Sequence, residues 1–227
     1  MQLTFFDTSN DVQFRKPTLQ IVNPQSTISK IPGLQYFTDF ISKDEHRVLW
    51  QAINKETWLT DIKRRVQHYG WKYDYKARSI DYSMYLGELP FWVQPIAERL
   101  YQLNYLSKLP DQLIINEYQP GQGITNHVDC EPCFGEIIIS VSLGSACIMD
   151  LINLKSKEKI ELMLEPRSLV IISGEARHNW THGIAARKTD IYNGIKTERG
   201  MRISLTFRNV IIKAPASAFP SSCLVPK

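Results

Sequence analysis

The sequence predicts a mainly β member of the α+β class, a jelly roll or similar double-sheet barrel with N-terminal helices packed on one sheet. Two observations predict this fold. In the first half of the chain, apolar residues recur with helical spacing over two segments. From Gln112 onward the spacing changes to two, and short runs of strand-forming residues alternate with turn residues. Helices followed by about seven or eight short strands are typical of two packed sheets.

Each predicted element has its own local signal. Ser42 and Glu45 match the capping-box pattern, and the apolar stripe that follows them indicates a helix of about three turns. A second helix is predicted over residues 91–106, where Pro90 and Pro95 confine the start. Alternation with a period of two predicts strands over residues 112–118, 136–144, 146–152, 159–165, 168–173, 180–184 and 201–210.

The 227 residues are enough for one domain with a sizeable core, which we expect over residues 31–212. We expect an N-terminal arm over residues 1–30 and a flexible, Pro- and Ser-rich tail over residues 213–227. The sequence shows no membrane-length apolar run and no signal peptide, so we expect a cytoplasmic protein, or a nuclear one in a eukaryote. We also expect a monomer. A net charge of +4 permits an anionic partner without requiring one, and the four cysteines do not resemble a disulfide framework.

Residues 116–133, NEYQPGQGITNHVDCEPC, place metal-competent side chains beside a tight turn. In extended backbone, residues two apart point the same way, so His127 and Asp129 can meet one ion. His182 follows about fifty residues later, in a predicted strand, and is preferred over His178, which lies in a turn-like stretch. Two histidines and a carboxylate on one side of a metal leave the other side open. That arrangement suits Fe(II) oxygenases and also zinc hydrolases.

The last predicted strand, 201–210, favours the iron chemistry. Arg202 and Arg208 have the same parity, and two inward arginines in a buried strand are costly unless anions meet them. Their side chains, leaning toward each other, leave a gap that a short dicarboxylate fits through charge-assisted hydrogen bonds. In strand 112–118, Asn116 and Tyr118 share a face and offer an amide and a phenol to the same ligand.

With these motifs in this order, the sequence resembles the AlkB family of Fe(II)/2-oxoglutarate-dependent dioxygenases over roughly residues 32–212. The motifs are Asn116-x-Tyr118, PGQG at 120–123, His127-x-Asp129, SLGS at 142–145, His182 within THGI, and Arg202 with Arg208. The resemblance implies a double-stranded β-helix, which is a jelly roll and agrees with the strand pattern.

The resemblance also implies roles for individual residues. His127, Asp129 and His182 would hold Fe(II), and Asp129 and Arg208 would be catalytic groups. The 2-oxoglutarate site would comprise Asn116, Tyr118, Arg202, Ser204 and Arg208, with Arg202 and Tyr118 on the distal carboxylate. Ser204 departs from the Asn of some relatives. With O2, such enzymes hydroxylate a C–H bond and convert 2-oxoglutarate to succinate.

For the substrate, the resemblance implies an alkylated nucleobase in DNA or RNA, such as 1-methyladenine or 3-methylcytosine, demethylated with release of formaldehyde. A carboxylate at Glu131 would complement the positive charge of such a base. Residues 61–89 would form a nucleotide-recognition lid, where Arg64 meets phosphate and Tyr69 or Trp71 stacks on a flipped base. Further backbone contacts are expected from Lys188, Lys196 and Arg199. The lack of an evident base-displacing finger favours a single strand.

Two other functions remain open. A tRNA wobble-base hydroxylase would keep the iron chemistry, since PGQG and WTHGI also occur in relatives of that kind. A non-catalytic jelly-roll module would bind nucleic acid or metal without consuming 2-oxoglutarate. Cys130 and Cys133 have half the spacing of a zinc or redox site, but the sequence has no second pair, so we expect structural or incidental thiols.

Overall fold

The computed structural model of the chain describes residues 28–60 and 62–212. Most of the expected N-terminal arm and the whole expected tail, 213–227, lie outside the described residues, as does Asp61 at the edge of the expected lid. Within the described ranges, no helix combines the length and the apolar composition that crossing a bilayer requires.

Three α-helices and twelve strands form the described part of the chain. The helices are α1 (Lys43–Lys55), α2 (Gln94–Gln102) and α3 (Gly174–His178). The strands are β1 (Leu34–Phe37), β2 (Val66–Tyr69), β3 (Gln112–Tyr118), β4 (Ile124–His127), β5 (Ile138–Gly144), β6 (Cys147–Asn153), β7 (Lys159–Leu164), β8 (Leu169–Ile172), β9 (Trp180–Ile184), β10 (Thr189–Tyr192), β11 (Ile195–Glu198) and β12 (Arg202–Arg208).

Two antiparallel sheets face each other. The major sheet has six strands in the order β1-β8-β5-β12-β3-β2, and the minor sheet has four in the order β4-β9-β6-β7. Strands β10 and β11 form a separate hairpin. Two facing antiparallel sheets with helices on one side are the jelly roll that the sequence predicts, so the predicted fold class is confirmed.

The two faces of the major sheet bury different groups. On the outer face, α1 and α2 pack Leu49, Ile53, Ile96 and Leu100 against apolar residues of β3, β5, β8 and β12; we call this group the outer cluster. The inner face and the minor sheet enclose a second cluster, to which Met149 belongs. The helices therefore brace the major sheet from behind and leave the space between the sheets for a site.

The predicted elements are present with small changes at their ends. All seven predicted strands are found, with bounds within two residues of the predicted ones. The five other strands have four residues each, which is too short for a clear alternation. Helix α1 begins at the predicted capping box, with Ser42 and Glu45 each accepting from the other's main-chain N–H. Helix α2 is shorter than predicted at both ends: it begins at Gln94 with Pro95 in its first turn, and it ends before Asn104, whose φ is +58°.

Candidate active site

Strands β3 and β12 lie side by side in the major sheet and present polar side chains to the space between the sheets. The register pairs Arg202 with Tyr118 and Ser204 with Asn116. The apolar residues that alternate with them, such as Leu205, lie in the outer cluster. Strand parity therefore puts the predicted co-substrate residues on one wall of a cavity of about 340 Å³.

Strands β4 and β9 of the minor sheet bring two histidines together at the facing wall. His127 and His182 are direct partners in the register, with ring centroids 4.6 Å apart. The strands can approach this closely because Gly183 has no side chain: a Cβ there would collide with Asn126. Asp129 follows β4, and the ligand atoms of the two histidines and this carboxylate all lie within 4.8 Å of one another. Such a group could hold one metal ion.

The contacts of His127 leave one ring nitrogen free for a metal. Its Nδ1 donates to the main-chain oxygen of Thr125, 2.8 Å away, which leaves the Nε2 lone pair unused. Burial, and then the neighbouring His182, lower the pKa of His127 to about 4. At neutral pH the imidazole is therefore uncharged, which is the form that binds metals.

Asp129 is buried and offers one carboxylate oxygen. Arg208 Nη2 donates to Oδ1 at 2.5 Å, whereas Oδ2 has no hydrogen-bond donor among the described residues and lies 3.3 Å from His182 Nε2. Burial alone would raise the pKa of Asp129, but Arg208 and then His182 outweigh it and hold the pKa well below its usual range. An ionised carboxylate with one unused oxygen, beside two imidazoles, fits Fe(II) with open coordination positions.

Arg202 is 2% exposed and has unused hydrogen-bond donors. Its Nη2 donates to Ser142 Oγ at 2.9 Å, while Nε and Nη1 meet no acceptor among the described residues. Buried guanidinium N–H groups without acceptors are costly, so they indicate where an anion binds. The Tyr118 ring lies beside the guanidinium, 5.5 Å from it, and burial raises the pKa of this phenol, which keeps its hydroxyl protonated. This pair fits one carboxylate of 2-oxoglutarate.

The other predicted co-substrate residues line the cavity but have protein partners. Ser204 Oγ is 2.7 Å from Ser140 Oγ, and Asn116 Oδ1 accepts from Arg64 Nε at 2.8 Å. Arg208 contacts Asp129 and so lies beside the metal group, and its Nε has no acceptor among the described residues. The polar face of β12 thus presents Arg202 to the co-substrate site and Arg208 to the metal ligand Asp129.

The predicted lid contacts separate in space. Arg64 lines the cavity, but Tyr69 and Trp71 do not. Tyr69 pairs with Leu113 in the register and packs edge-on against Trp92, in the outer cluster behind the major sheet. The expected base stacking thus does not match the position of Tyr69. Trp71 instead packs against Tyr85, with ring centroids 4.8 Å apart, and against the cluster between the sheets. Tyr69 is the register partner of Leu113, whose side chain points away from the cavity. Paired residues share a face of the sheet, so the Tyr69 side chain points away from the cavity as well.

Glu131 lies on the surface rather than in the cavity. Its carboxylate is 3.0 Å from His178 Nδ1, and 55% of its side chain is exposed. His178 also contacts Glu136, 2.9 Å from Nε2, so this second candidate for a metal-binding histidine lies outside the metal group. Residues two apart share a face only while the strand continues, and β4 ends at His127. The expected substrate contact of Glu131 therefore does not match its position.

Sequence analysis did not single out three lid residues that line the cavity, Tyr73, Tyr75 and Arg78. The two rings pack edge-on with centroids 5.1 Å apart, and burial raises the pKa of both phenols. Their spacing of two in an aromatic segment was the available signal. This signal does not connect the two tyrosines to the cavity, because β2, the one strand among the described residues of this segment, has four residues and ends before them.

Two other groups of residues differ from expectation. Cys130 and Cys133 form a disulfide pair rather than two thiols, because the turn between them brings their Cα atoms to 5.3 Å. Arg199 is buried and donates to both carboxylate oxygens of Asp190, so it does not face a nucleic-acid backbone. Lys188 and Lys196 are exposed on either side of the β10–β11 turn, as phosphate contacts would require.

Comparison with known proteins gives a family and several relatives. Residues 33–208 match the profile of the 2OG-Fe(II) oxygenase superfamily. An uncharacterized protein of Acanthamoeba polyphaga mimivirus is 36% identical over 180 residues, which are 79% of this chain and 85% of that protein. The tRNA (carboxymethyluridine(34)-5-O)-methyltransferase ALKBH8 of Mus musculus is 37% identical over 79% of this chain. The Alkylated DNA repair protein ALKBH8 homolog of Arabidopsis thaliana is 36% identical over 85% of this chain.

The chain spans only part of some relatives, namely 30% of the mouse protein and 62% of the Arabidopsis protein. Among solved structures, OsALKBH1 superposes with a TM-score of 0.60 at 17% identity and covers 78% of this chain and 98% of that one, which shows a shared fold. The superfamily match extends over most of the chain and includes the metal group and both arginines of β12. The chain therefore belongs to the AlkB family of the 2OG-Fe(II) oxygenase superfamily and is a dioxygenase that uses Fe(II), 2-oxoglutarate and O2.

Proposed function

We propose that the chain hydroxylates a modified uridine in tRNA, at a carbon of the substituent on C5 of the base. The single observation that carries this substrate is the charge of the cavity wall. Among the described lining residues the only carboxylate is Asp129, while the cations are Arg64, Arg78, Arg202 and Arg208. Arg208 pairs with Asp129, and Arg202 serves the co-substrate. Arg64, which contacts Asn116 and Tyr118 at the border of the co-substrate wall, and Arg78 are the cations left to meet the substrate.

Two cations on the substrate side disfavour a cationic base. Methylation on a ring nitrogen gives 1-methyladenine and 3-methylcytosine a positive charge, and like charges in a partly desolvated site repel each other. Glu131, which would have offset that charge, contacts His178 on the surface. A neutral base meets no such penalty, and an acidic substituent such as a carboxymethyl group is attracted by Arg64 and Arg78.

The names of the relatives support the same substrate class. Relatives named as tRNA (carboxymethyluridine(34)-5-O)-methyltransferase occur in Mus musculus, Xenopus tropicalis and Macaca fascicularis, with 37%, 35% and 33% identity. The chain covers 30%, 34% and 32% of those proteins, so the proposal concerns an oxygenase step alone.

In this proposal the metal ligands would be Nε2 of His127, Nε2 of His182 and Oδ2 of Asp129. Fe(II) held there would supply O2 activation with 2-oxoglutarate as the two-electron reductant, so that one oxygen atom would enter the C–H bond, the other would enter succinate, and CO2 would leave. Arg208 holds Oδ1 of Asp129, so Oδ2 is the oxygen presented to the metal.

The remaining side chains orient the reactants. Ser142 accepts from Nη2 of Arg202, which leaves the Nε and Nη1 nitrogens of the guanidinium for the distal carboxylate of 2-oxoglutarate. The protonated hydroxyl of Tyr118 adds a further donor. Tyr73 and Tyr75 line the substrate side, where their rings exclude water and can stack on a base.

A second candidate is demethylation of a neutral methylated base. Hydroxylation of an N-methyl group gives an unstable hemiaminal that loses formaldehyde, and an uncharged adenine derivative tolerates Arg64 and Arg78. Relatives named for such reactions are more distant: the Probable RNA/DNA demethylase ALKBH6 of Danio rerio and the DNA N6-methyl adenine demethylase of Caenorhabditis elegans are each 26% identical.

A panel of RNA stem-loops tests the proposal. The protein is incubated with Fe(II), 2-oxoglutarate and stem-loops that carry 5-carboxymethyluridine, its methyl ester, N6-methyladenine or 1-methyladenine. Mass spectrometry of the nucleosides and a succinate assay run in parallel, with Asp129→Ala as the inactive control. We expect a uridine derivative to gain one oxygen atom for each succinate formed. Loss of the methyl group from N6-methyladenine with unchanged uridines would establish the second candidate instead. Loss of the methyl group from 1-methyladenine would contradict the charge argument, and failure to form succinate with any RNA would indicate a binding module.

A further inference from the structure

Arg177, on α3, is a buried cation that the proposed chemistry does not use. The residue is 2% exposed, and its Nη1 donates to the main-chain oxygen of Asp129 at 2.9 Å. Its Nε and Nη2 atoms are buried without an acceptor among the described residues. A guanidinium buried with so few hydrogen bonds is costly, so its place beside a metal ligand needs a reason.

Helix α3 is a fixed platform for this side chain. Ala176 N donates to the main-chain oxygen of Pro32, and Ser173 N donates to that of Gly33, both at 3.0 Å. Gly33 has a φ of +88°, and a Cβ there would collide with the main-chain oxygen of Ser173. Both the positive φ and the close approach of Ser173 therefore require glycine at position 33. Because α3 is held against the chain at the start of β1, Arg177 projects from a backbone that is itself immobilised.

Two consecutive residues of α3 make hydrogen bonds with the loop that follows β4, from opposite sides. Arg177 reaches the main chain of Asp129 in the interior, while His178 contacts Glu131 and Glu136 at the surface. Helix α3 leads directly into β9, which carries His182. The contact from Arg177 therefore joins the segment of one metal ligand to the segment of another.

We propose that Arg177 is a positioning residue for the metal centre: it holds the main chain of Asp129 so that the carboxylate, with Oδ1 fixed by Arg208, presents Oδ2 between the two histidines. The side chain and the main chain of Asp129 are then held by different arginines, from β12 and from α3. This role follows from the metal group and is independent of which nucleobase the cavity accepts.

The direction of the effect distinguishes positioning from simple electrostatics. A positive charge near the ligands repels a divalent cation, so if charge were the whole effect, its removal would tighten metal binding. If Arg177 positions Asp129, its removal loosens a ligand and weakens binding. Groups that orient metal ligands typically contribute about 10- to 100-fold in affinity.

The experiment is a calorimetric titration of the metal-free protein with Mn(II), which requires no turnover. We expect Arg177→Met to weaken Mn(II) binding about 10-fold or more. Arg177→Lys keeps the charge but lacks the planar fork, and we expect it to weaken binding less than Arg177→Met does. The matched control is Arg99→Met. That arginine pairs with Glu45 on the helix side of the major sheet, and its loss should leave Mn(II) affinity unchanged.

A thermal-shift measurement covers the case in which Arg177→Met folds poorly. Added Mn(II) raises the melting temperature according to its affinity, and Arg177→Lys gives a second, milder variant on which to measure that rise. A smaller Mn(II)-induced rise in Arg177→Lys than in wild type and Arg99→Met supports the positioning role. Wild-type affinity in Arg177→Lys, or tighter binding in Arg177→Met, would overturn it.

Discussion

The two sides of the cavity are built differently. The co-substrate side consists of β3, β5 and β12, whose residues are paired one to one across the major sheet. The substrate side is the lid that follows Asp61 and contains one short strand, a 3-10 turn at Tyr82–Met84 and irregular chain. On the first side a residue's position in the sequence fixes its direction. On the second, direction depends on packing that no period describes.

This structural difference predicts that deleting a side chain costs a different amount of binding free energy on each side of the cavity. The co-substrate side has buried, charged donors held in fixed positions, so each deletion leaves a group of the ligand or the protein unsatisfied. The substrate side has partly exposed aromatic and cationic side chains that can adapt, so each deletion should cost less. Mutations on the two sides should therefore differ in size and in which ligand they affect.

The largest effect is expected at the metal group. Asp129→Ala removes the one free carboxylate oxygen among the ligands and should reduce succinate formation to the background rate without enzyme. The measurement is the succinate assay together with Mn(II) titration. The control is Asp190→Asn, which alters an equally buried carboxylate held by Arg199 and Arg187 in the hairpin region. It should lower stability while retaining Mn(II) binding; Mn(II) affinity unaffected by Asp129→Ala would remove this residue from the metal group.

The next effect is expected at Arg202, as a loss of 2-oxoglutarate binding. Arg202→Met deletes two charge-assisted hydrogen bonds, together about 3 kcal/mol, or ~100-fold in Kd. Calorimetry with 2-oxoglutarate in the presence of Mn(II) measures the change, and Mn(II) affinity itself should stay at the wild-type value. Arg65→Met is the control: it removes the partner of buried Glu117 on the other face of β3. Equal 2-oxoglutarate affinity in Arg202→Met and Arg65→Met would contradict the assignment.

The same contrast explains what the sequence could and could not predict. Arg202, Asn116 and Tyr118 line the cavity on the face that alternation predicts, because β3 and β12 have seven residues each, long enough for alternation to show. Tyr69 and Glu131 were placed in the cavity although one points to the other face of the sheet and the other lies beyond the end of its strand. No pattern indicated Arg177, because its partner is a main-chain oxygen, which every residue possesses.

A pair of lid tyrosines tests the comparison on the substrate side. Tyr73→Ala removes a ring that lines the cavity and should raise KM for the accepted nucleic acid roughly 10-fold, since base stacking contributes about 1–3 kcal/mol. The Kd for 2-oxoglutarate should not change. Tyr69→Ala is the matched variant, and it should lower the melting temperature by loss of packing on Trp92 while KM changes little. A larger KM effect from Tyr69 than from Tyr73 would reverse our view of which lid face meets the substrate.

The smallest effect is expected at the surface contact of His178 with Glu131 and Glu136, which supports the metal-bearing loop from outside. Hydrogen bonds to Glu131 and Glu136 raise the pKa of His178 above its usual value, so the protonated form stabilises the folded state. That contribution is complete below the unfolded pKa of about 6.5 and is lost as the pH rises through the folded pKa. His178→Gln should therefore lower the melting temperature by about 1 °C at pH 5.5 and leave it unchanged at pH 8.5, because exposed ion pairs contribute little. If the difference in melting temperature between wild type and His178→Gln grew with pH, the neutral imidazole would make the contact. The stabilisation of the loop by His178 would then not depend on charge.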